Sequence, residues 1–421
     1  MAGSRIEGFA KLSVAERRRK LSELTGLSDE TLAHLETTSA SDIDLANRLS
    51  ENVVSTMNVP LGLATNLIVD GEEPLIPMAT EESSVIAAVC NAAKRCRATG
   101  GFTTSFSGPI MIAQVQVVNA PDPEHCRLKI LERRQEIETI CNETDPVLVQ
   151  HGGGFRDLEV RVIDSREGPM VITHLMIDTG DAMGANAVNS MAEALAPHIR
   201  QWTGAQTYLR ILSNLADRRV ARARAVWSLD EIGGAEVRDG MLSAFAFADT
   251  DPYRAATHNK GIMNGVTAMV LATGNDTRAV EAGAHAFAAR SGRYRSLTRW
   301  EADGDGNLVG TIEIPLAVGL IGGATKLHPT AQAALEIMGV QSAGYLARLM
   351  AAVGLAQNFA ALRVLATTGV QQGHMSLHAQ NIALMAGAKG DEVDRVAEEL
   401  RRQGTVRVDV AEQILKQIRD G

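Results

Sequence analysis

Aromatic residues make up only 4% of this 421-residue chain, so flat rings can do little of its packing. Small residues take their place, among them 38 glycines. Backbones are therefore expected to approach each other, or a ligand, closely in several places. Cysteine is scarce too. Cys90, Cys96, Cys126 and Cys141 form no C-x-x-C pair, which argues against a zinc site and a disulfide framework and fits reduced thiols. Basic charge is in deficit, with 41 Lys and Arg against 50 Asp and Glu, a net charge of −9 and a pI near 5.6. A nucleic-acid binder would need a basic face. The run Arg17-Arg18-Arg19-Lys20 sits in a helical pattern beside Glu16 and Glu23 and reads as a solvated helix face. Long unbroken apolar runs are missing as well. The segments 308–325 and 344–366 are interrupted by Glu313, Arg348, Arg363 and glycines, and the N-terminus has no apolar signal core. No membrane span is expected.

Several catalytic signatures are absent. No G-x-G-x-x-G follows a strand, and there is no G-x-x-x-x-G-K-[ST], G-x-S-x-G or H-E-x-x-H. These absences disfavour a Rossmann dinucleotide enzyme, a P-loop enzyme, an α/β-hydrolase and a zincin. A dinucleotide, if one binds, binds by another route.

What is present first suggests architecture. The length points to two domains and a small third piece. Residues 11–50 read as short helices capped by Ser13 and Ser28, and an alanine-rich helix at about 83–98 stops at Gly100-Gly101. Residues 110–118 alternate like a strand, 124–142 carry a charged helical pattern, and strands at 157–164 and 170–178 flank a turn at Glu167-Gly168-Pro169. A helix at about 185–202 and a strand at 207–213 complete a β-α-β-β-α-β order, the ferredoxin-like split pattern of an inserted domain. A larger α/β region follows, with a turn and strand at 307–314, a glycine-rich loop at 319–323 and a helix at about 343–367. Short helices separated by Gly387, Gly390 and Gly404 end the chain.

Five polar clusters stand among glycine and alanine. In A-T-E-E-S-S (79–84) two acids precede a helix, where they complement its dipole. In D-P-Y-R-A-A-T-H-N-K-G-I-M-N-G (251–265) the collected donors suit either a surface loop or a cationic pocket for a carboxylate or oxyanion. The segment 270–276 reads as an apolar strand running into Thr273-Gly274-Asn275-Asp276, with Asp276 either capping the next helix or holding Lys260. His374 and His378, in Q-G-H-M-S-L-H, lie one helical turn apart. No third ligand has suitable spacing, so acid/base work or a structural role is favoured over metal. Asp181 to Asn186 sit at a strand-to-helix turn where Gly184 would let a backbone approach a phosphate, though a tight turn explains the small residues equally well.

Taken together, E-N-V-V-S-T (51–56), E-E-S-S (81–84), G-G-F-T-T-S (100–105), D-A-M-G-A-N (181–186), H-N-K-G-I-M-N-G (258–265), A-T-G-N-D (272–276) and G-H-M-S-L-H (373–378) resemble the HMG-CoA reductases in order and spacing. The likeness runs from about residue 10 to the end and is closest to the class II enzymes, which lack a membrane anchor. It implies an α+β fold: a large HMG-CoA-binding α/β domain (1–108 and 217–372), an inserted ferredoxin-like, non-Rossmann dinucleotide-binding domain (109–216) and a C-terminal helical flap (373–421). It also implies a cytoplasmic homodimer with shared active sites, with a hexamer as a further assembly, acting on HMG-CoA, mevalonate and CoA without metal, nucleic acid or membrane.

By position, the family's catalytic residues fall on Glu82, Lys260, Asp276 and His374, and its substrate contacts on Ser84, Arg254, Thr257 and Asn264. Its dinucleotide site falls on Asp181, Met183, Gly184, Asn186 and Asn214. Asp145, counted back from Gly152-Gly153-Gly154, matches an acid that favours NADH over NADPH by accepting from ribose hydroxyls and repelling a 2′-phosphate. Two departures are visible: Ser83 stands where a relative carries proline, and 292–296 holds extra arginine. The implied reaction is two hydride transfers. Lys260 stabilises the oxyanion, Asp276 holds Lys260, His374 protonates the leaving thiolate, and Glu82, its pKa raised by burial beside Asp276, protonates the aldehyde stage. Alternatives are the same enzyme oxidising mevalonate and a non-catalytic CoA-binding regulator.

Overall fold

The computed structural model describes residues 11–25, 43–367 and 379–420, with positions 28, 29, 31, 33, 36 and 369. The chain divides into two compact units, Met1–Leu61 and Gly62–Gly421. In the first, helix α1 (Val14–Thr25) starts at a reciprocal capping box. The Ser13 amide donates to Glu16 Oε2 at 2.7 Å, and the Glu16 amide donates to Ser13 Oγ at 3.3 Å. Helix α2 (Ile43–Leu49) follows. Only half of the basic run of α1 is the solvated face expected, Arg19 being exposed and Lys20 pairing with Glu23. Arg17 and Arg18 are buried, and their guanidinium groups donate to Asn47 Oδ1 at 2.7 Å and to the carbonyls of Val53 (3.1 Å) and Val54 (2.5 Å). A charge run alone does not reveal that backbone carbonyls will fold over it.

The second unit contains a ribbon of β1 (Leu61–Ala64) and β2 (Ile76–Ala79), then α3 (Val85–Cys96) and β3 (Phe102–Phe106). A contiguous stretch comes next: β4 (Ile110–Val118), α4 (Pro123–Leu131), α5 (Arg134–Thr144), α6 (Pro146–Gln150), β5 (Gly154–Ile163), β6 (Met170–Asp178), α7 (Ala185–Thr203) and β7 (Gln206–Ser213). Its strands form one antiparallel sheet in the order β5-β6-β4-β7, the split β-α-β arrangement. Alternation places Met111, Ala113, Val115 and Val117 of β4 on one face, where they share an apolar cluster with Val188, Met191, Leu195 and Ile199 of α7. The charged segment expected as one helix is two, because the chain leaves helical geometry at Arg133 (ψ 22°). Asp122-Pro123 and Asp145-Pro146 each open a helix with a capping carboxylate and a proline in the first turn.

The remaining elements are β8 (Val220–Trp227), α8 (Leu229–Ile232), α9 (Ala235–Thr250), α10 (Pro252–Ala272), α11 (Thr277–Ala288), β9 (Thr298–Ala302), β10 (Leu308–Pro315), α12 (Gly323–Leu327), α13 (Pro329–Ile337), α14 (Ala343–Ala366), α15 (Asp391–Gln403) and α16 (Val408–Asp420). A second antiparallel sheet has the order β3-β8-β10-β9. The scarce aromatics concentrate behind it. Trp227 stacks on Phe359 of α14 with ring centroids 4.3 Å apart, and Trp300 and Phe102 close around them. By length and composition α14 could cross a membrane, but 67% of its most apolar window is buried in this core, against α10, α3 and β8. Its Arg348 pairs with Asp70 at 2.5 Å. The helices α15 and α16 share a separate cluster that includes Val396, Leu400, Ile414 and Leu415.

Candidate active site

The segment expected as a strand before Thr273 is the C-terminal half of α10, a 21-residue helix. Asp251 caps it by accepting from the Tyr253 amide at 2.9 Å, with Pro252 in its first turn. The Asp-Pro pair was the available signal, because an apolar run such as 266–272 has no period that separates a buried helix from a buried strand. As a helix, α10 sorts the donors of 251–265 by face. At 3.6 residues per turn, Arg254, Thr257, Lys260, Gly261 and Asn264 share a sector of roughly 120°. His258 and Asn259 point elsewhere and are buried. His258 Nε2 bonds Ser296 Oγ at 2.8 Å and Thr298 Oγ1 at 3.0 Å, while Asn259 donates to the Arg295 carbonyl at 2.8 Å and accepts from the Leu297 amide at 3.0 Å. These two residues anchor β9 and its approach to the helix. Burial, helped by the Arg254 charge, pushes the His258 imidazole down to about 3, so it stays neutral. Burial also draws the Arg254 guanidinium below its ordinary value.

Lys260 meets Glu82 across 178 positions of sequence, with Nζ donating to Oε2 at 2.9 Å. The turn before α3 presents that carboxylate. The Glu82 amide donates to Thr80 Oγ1 at 3.1 Å, and Ser84 at the helix N-cap takes a left-handed conformation, φ 75°. A non-glycine residue held there costs about 1–3 kcal/mol, and such strain clusters at functional sites. The two side chains remain 60% and 42% exposed. An ion pair so open to water stabilises a fold by only about 0–1 kcal/mol, so its placement is poorly explained by stability.

In this chain the bonds of Asp276 go to its own helix rather than to Lys260. It caps α11, where Oδ1 accepts from the amides of Arg278 (2.9 Å) and Ala279 (3.1 Å) and lies 3.2 Å from the Arg278 guanidinium. No hydrogen bond or ion pair links it to Lys260 or Glu82 among the described residues, and Glu82 is exposed rather than buried. Its neighbour Asn275 ties the same turn to the glycine-rich loop by accepting from the Gly319 amide at 2.8 Å.

In the small-sheet region, Gly184 is the N-cap of α7 with φ 95°, and a Cβ there would collide with Thr179. No side chain caps this 19-residue helix, and Asn186 is exposed in its first turn. Asp181 Oδ1 accepts from the Ala343 amide at 2.7 Å, complementing the start of α14, and Met183 packs on the small sheet's apolar cluster. Asn214 is exposed, its carbonyl pressed against Gly283 of α11, where a Cβ would come within 2.6 Å. Asp145 caps α6, accepting from the Leu148 amide at 2.9 Å. His374 and His378 lie outside the described residues.

A cavity of about 630 Å³ opens elsewhere, beside β9, lined by Phe245, Asp249, Arg295, Arg299 and Trp300 among others; none of the candidate residues lines it. Arg295 pairs there with Asp249, Arg299 with Glu301 at 3.3 Å, and Arg290 with Glu313 at 3.5 Å. The extra arginine at 295 is thus spent in an ion-pair belt. Sequence reasoning passed over two residues that join the turn before α7 to the loop after β10. Arg219 is fully buried, and Gly319 lies against the backbone of 181–183. Nothing in A-D-R-R-V separates a buried arginine from a solvated one.

The sequence profile described as Hydroxymethylglutaryl-coenzyme A reductase matches residues 13–379. The chain is 56% identical over 416 residues to the 3-hydroxy-3-methylglutaryl-coenzyme A reductase of Archaeoglobus fulgidus, covering 99% of this chain and 95% of that one. It is 35% identical to a probable enzyme of the same name from Borreliella burgdorferi, over 98% and 95% of the two chains. Among solved structures it resembles the reductase of Streptococcus pneumoniae with a TM-score of 0.77 and 40% identity, over 98% and 99% of the two chains. A class II structure from the same organism, bound to NADPH in open conformations, matches with a TM-score of 0.76 over 97% and 100%.

Proposed function

The chain belongs to the hydroxymethylglutaryl-coenzyme A reductase family, and we propose that it reduces HMG-CoA to mevalonate and free CoA, with Lys260 and Glu82 as the centre of its chemistry. The observation that carries this reading is the exposed Lys260–Glu82 pair, a cation and a proton carrier 2.9 Å apart beside the Arg254–Asn264 stripe.

The residues at the start of α7 suit a dinucleotide. Its first-turn amides have no side-chain cap. A helix N-terminus of this kind favours a pyrophosphate. Each of two reduced nicotinamides, bound in turn, would supply one hydride. Asp181, Met183, Gly184, Asn186 and Asn214 would hold the dinucleotide, and Asp145 would make NADH the preferred form. This chain's own residues manage charge and protons. Each hydride leaves negative charge on the former carbonyl oxygen, and the Lys260 ammonium stabilises that charge. Collapse of the hemithioacetal breaks the C–S bond and frees CoA thiolate, which His374 protonates. The aldehyde oxygen takes its proton from Glu82 as the second reduction completes. Asp276 adds a carboxylate beyond this pair. Arg254 and Ser84 orient the substrate's carboxylate, with Thr257 and Asn264 beside them.

Residues 109–216 form the dinucleotide domain, 1–108 with 217–372 the HMG-CoA domain, and 373–421 a flap. A second copy of the chain covers the open Lys260–Glu82 pair, in a cytoplasmic dimer. The test is absorbance at the reduced-nicotinamide band with HMG-CoA and NADH or NADPH. Consumption of two equivalents per mevalonate, faster with NADH, is expected. No HMG-CoA-dependent oxidation of either cofactor overturns the reading.

A further inference from the structure

Arg219 is the one charged side chain of the second unit with no exposed surface among the described residues. It lies where the chain passes from the small sheet back to β8, with its amide bonded to the Ala216 carbonyl at 2.9 Å. Nη1 donates to Thr179 Oγ1 at 2.8 Å and to the Ala182 carbonyl at 3.1 Å, both in the turn that leads into α7. Nη2 donates to the Val318 carbonyl at 2.6 Å, in the loop after β10. One planar guanidinium therefore spans two segments 136 residues or more apart in sequence from Thr179 and Ala182 to Val318. Burial lowers this group to about 10, and the Asp178 and Asp181 charges oppose the shift, so it remains charged at neutral pH.

The two segments also touch directly. The Leu320 amide donates to the Asp181 carbonyl at 2.8 Å, Ala182 bridges to Ile321, and a Cβ on Gly319 would strike the Met183 amide. The loop continues the link, because the Gly319 amide donates to Asn275 Oδ1, next to Asp276.

We propose that Arg219 is a positioning residue, a latch that locks the 179–184 turn to the 318–320 loop and thereby sets the distance between the dinucleotide and the substrate carbonyl. The role in hydride transfer rests on the function proposed above; the latch itself does not. Lysine keeps the charge but is a single point donor, unable to reach both segments as the fork does. Misplacing reactants by about 1 Å can cost about 100-fold in rate.

The test compares wild type with Arg219→Lys, Arg219→Met and Gly319→Ala, and with Phe359→Leu as a core variant that lowers stability away from the latch. Four quantities are measured: thermal midpoint, cofactor affinity by nicotinamide fluorescence without turnover, kcat and KM for HMG-CoA, and amide hydrogen exchange. Arg219→Lys is expected to fold, to lose kcat by about 10- to 100-fold with KM for HMG-CoA within about threefold, and to show a larger isotope effect with 4-deuterated cofactor. Amides of 179–184 and 318–321 should lose protection together in each latch variant, and Phe359→Leu should match wild type in kcat. If Arg219→Met does not fold, Arg219→Lys and Gly319→Ala carry the comparison. Unchanged kcat with unchanged protection in folded Arg219→Lys and Gly319→Ala overturns the latch. Inactive wild type overturns the functional reading, while hydrogen exchange still decides whether the two segments are coupled through Arg219.

Discussion

Replacing Lys260 separates the chemistry of the site from its stability more cleanly than any other change. Lys260 is 60% exposed and its partner Glu82 42%, so the pair lies in the regime where ion pairs contribute about 0–1 kcal/mol. Lys260→Ala also places the best helix former in the middle of α10, which offsets part of any loss. The unfolding free energy should therefore move by no more than about 1 kcal/mol. The catalytic effect is of another size. A unit charge about 4 Å from a developing oxyanion, at an effective dielectric near 20, is worth about 4 kcal/mol, or roughly 1,000-fold in rate. Steady-state turnover of HMG-CoA and a urea melt on the same preparation measure both quantities. A loss of kcat below about tenfold, or a fall in stability that accounts for the activity lost, would refute the assignment of Lys260 as the oxyanion cation. Lys260→Met, which keeps the stem and removes the charge, should behave like the alanine variant.

Other expectations follow from the same geometry. Gly184→Ala puts a side chain at φ 95° and against Thr179, so stability should fall by about 1–3 kcal/mol in a denaturant melt, with cofactor affinity weakened. Asp145→Ala should cost about 1 kcal/mol as a lost cap and raise the NADPH-to-NADH ratio of kcat/KM; an unchanged ratio would leave Asp145 a cap alone. His258 is neutral in the fold, lowered to about 3 by burial, whereas the unfolded chain binds a proton near 6.5. Its contribution to stability is thus intact above pH 6.5 and is lost as the pH falls toward 3, about 3 kcal/mol by pH 4.5. Urea midpoints from pH 8 to 4.5 should show that slope, and His258→Asn should flatten it.

Local order in this protein was legible from sequence wherever the signal was local. Alternation marked β4 at 110–118, because a strand's two faces are written into every second residue, and the Glu167-Gly168-Pro169 turn marked the start of β6. Gly100-Gly101 after α3 and Gly184 before α7 bounded those helices within a residue or two, since glycines act through backbone angles at single positions. The family could be read from motif order, and the similarity to the Archaeoglobus and Streptococcus proteins agrees with it. Identity as helix or strand failed at 270–272, where an apolar run ends a buried helix and carries no period of its own.

The site shows the same division. The sequence by itself determined which polar residues lie among glycines and which family their motif order matches. Tertiary structure decided that Lys260 pairs with Glu82 while Asp276 caps α11. It also decided that Arg17 and Arg18 are buried under carbonyls, and that Arg219 joins the turn before α7 to the loop after β10 from inside the protein. The physical reason is distance along the chain. Dihedral preference and face periodicity act over a few residues, but the partner of a charge is whichever group the packed core brings within about 3 Å, and for Lys260 that group lies 178 positions away.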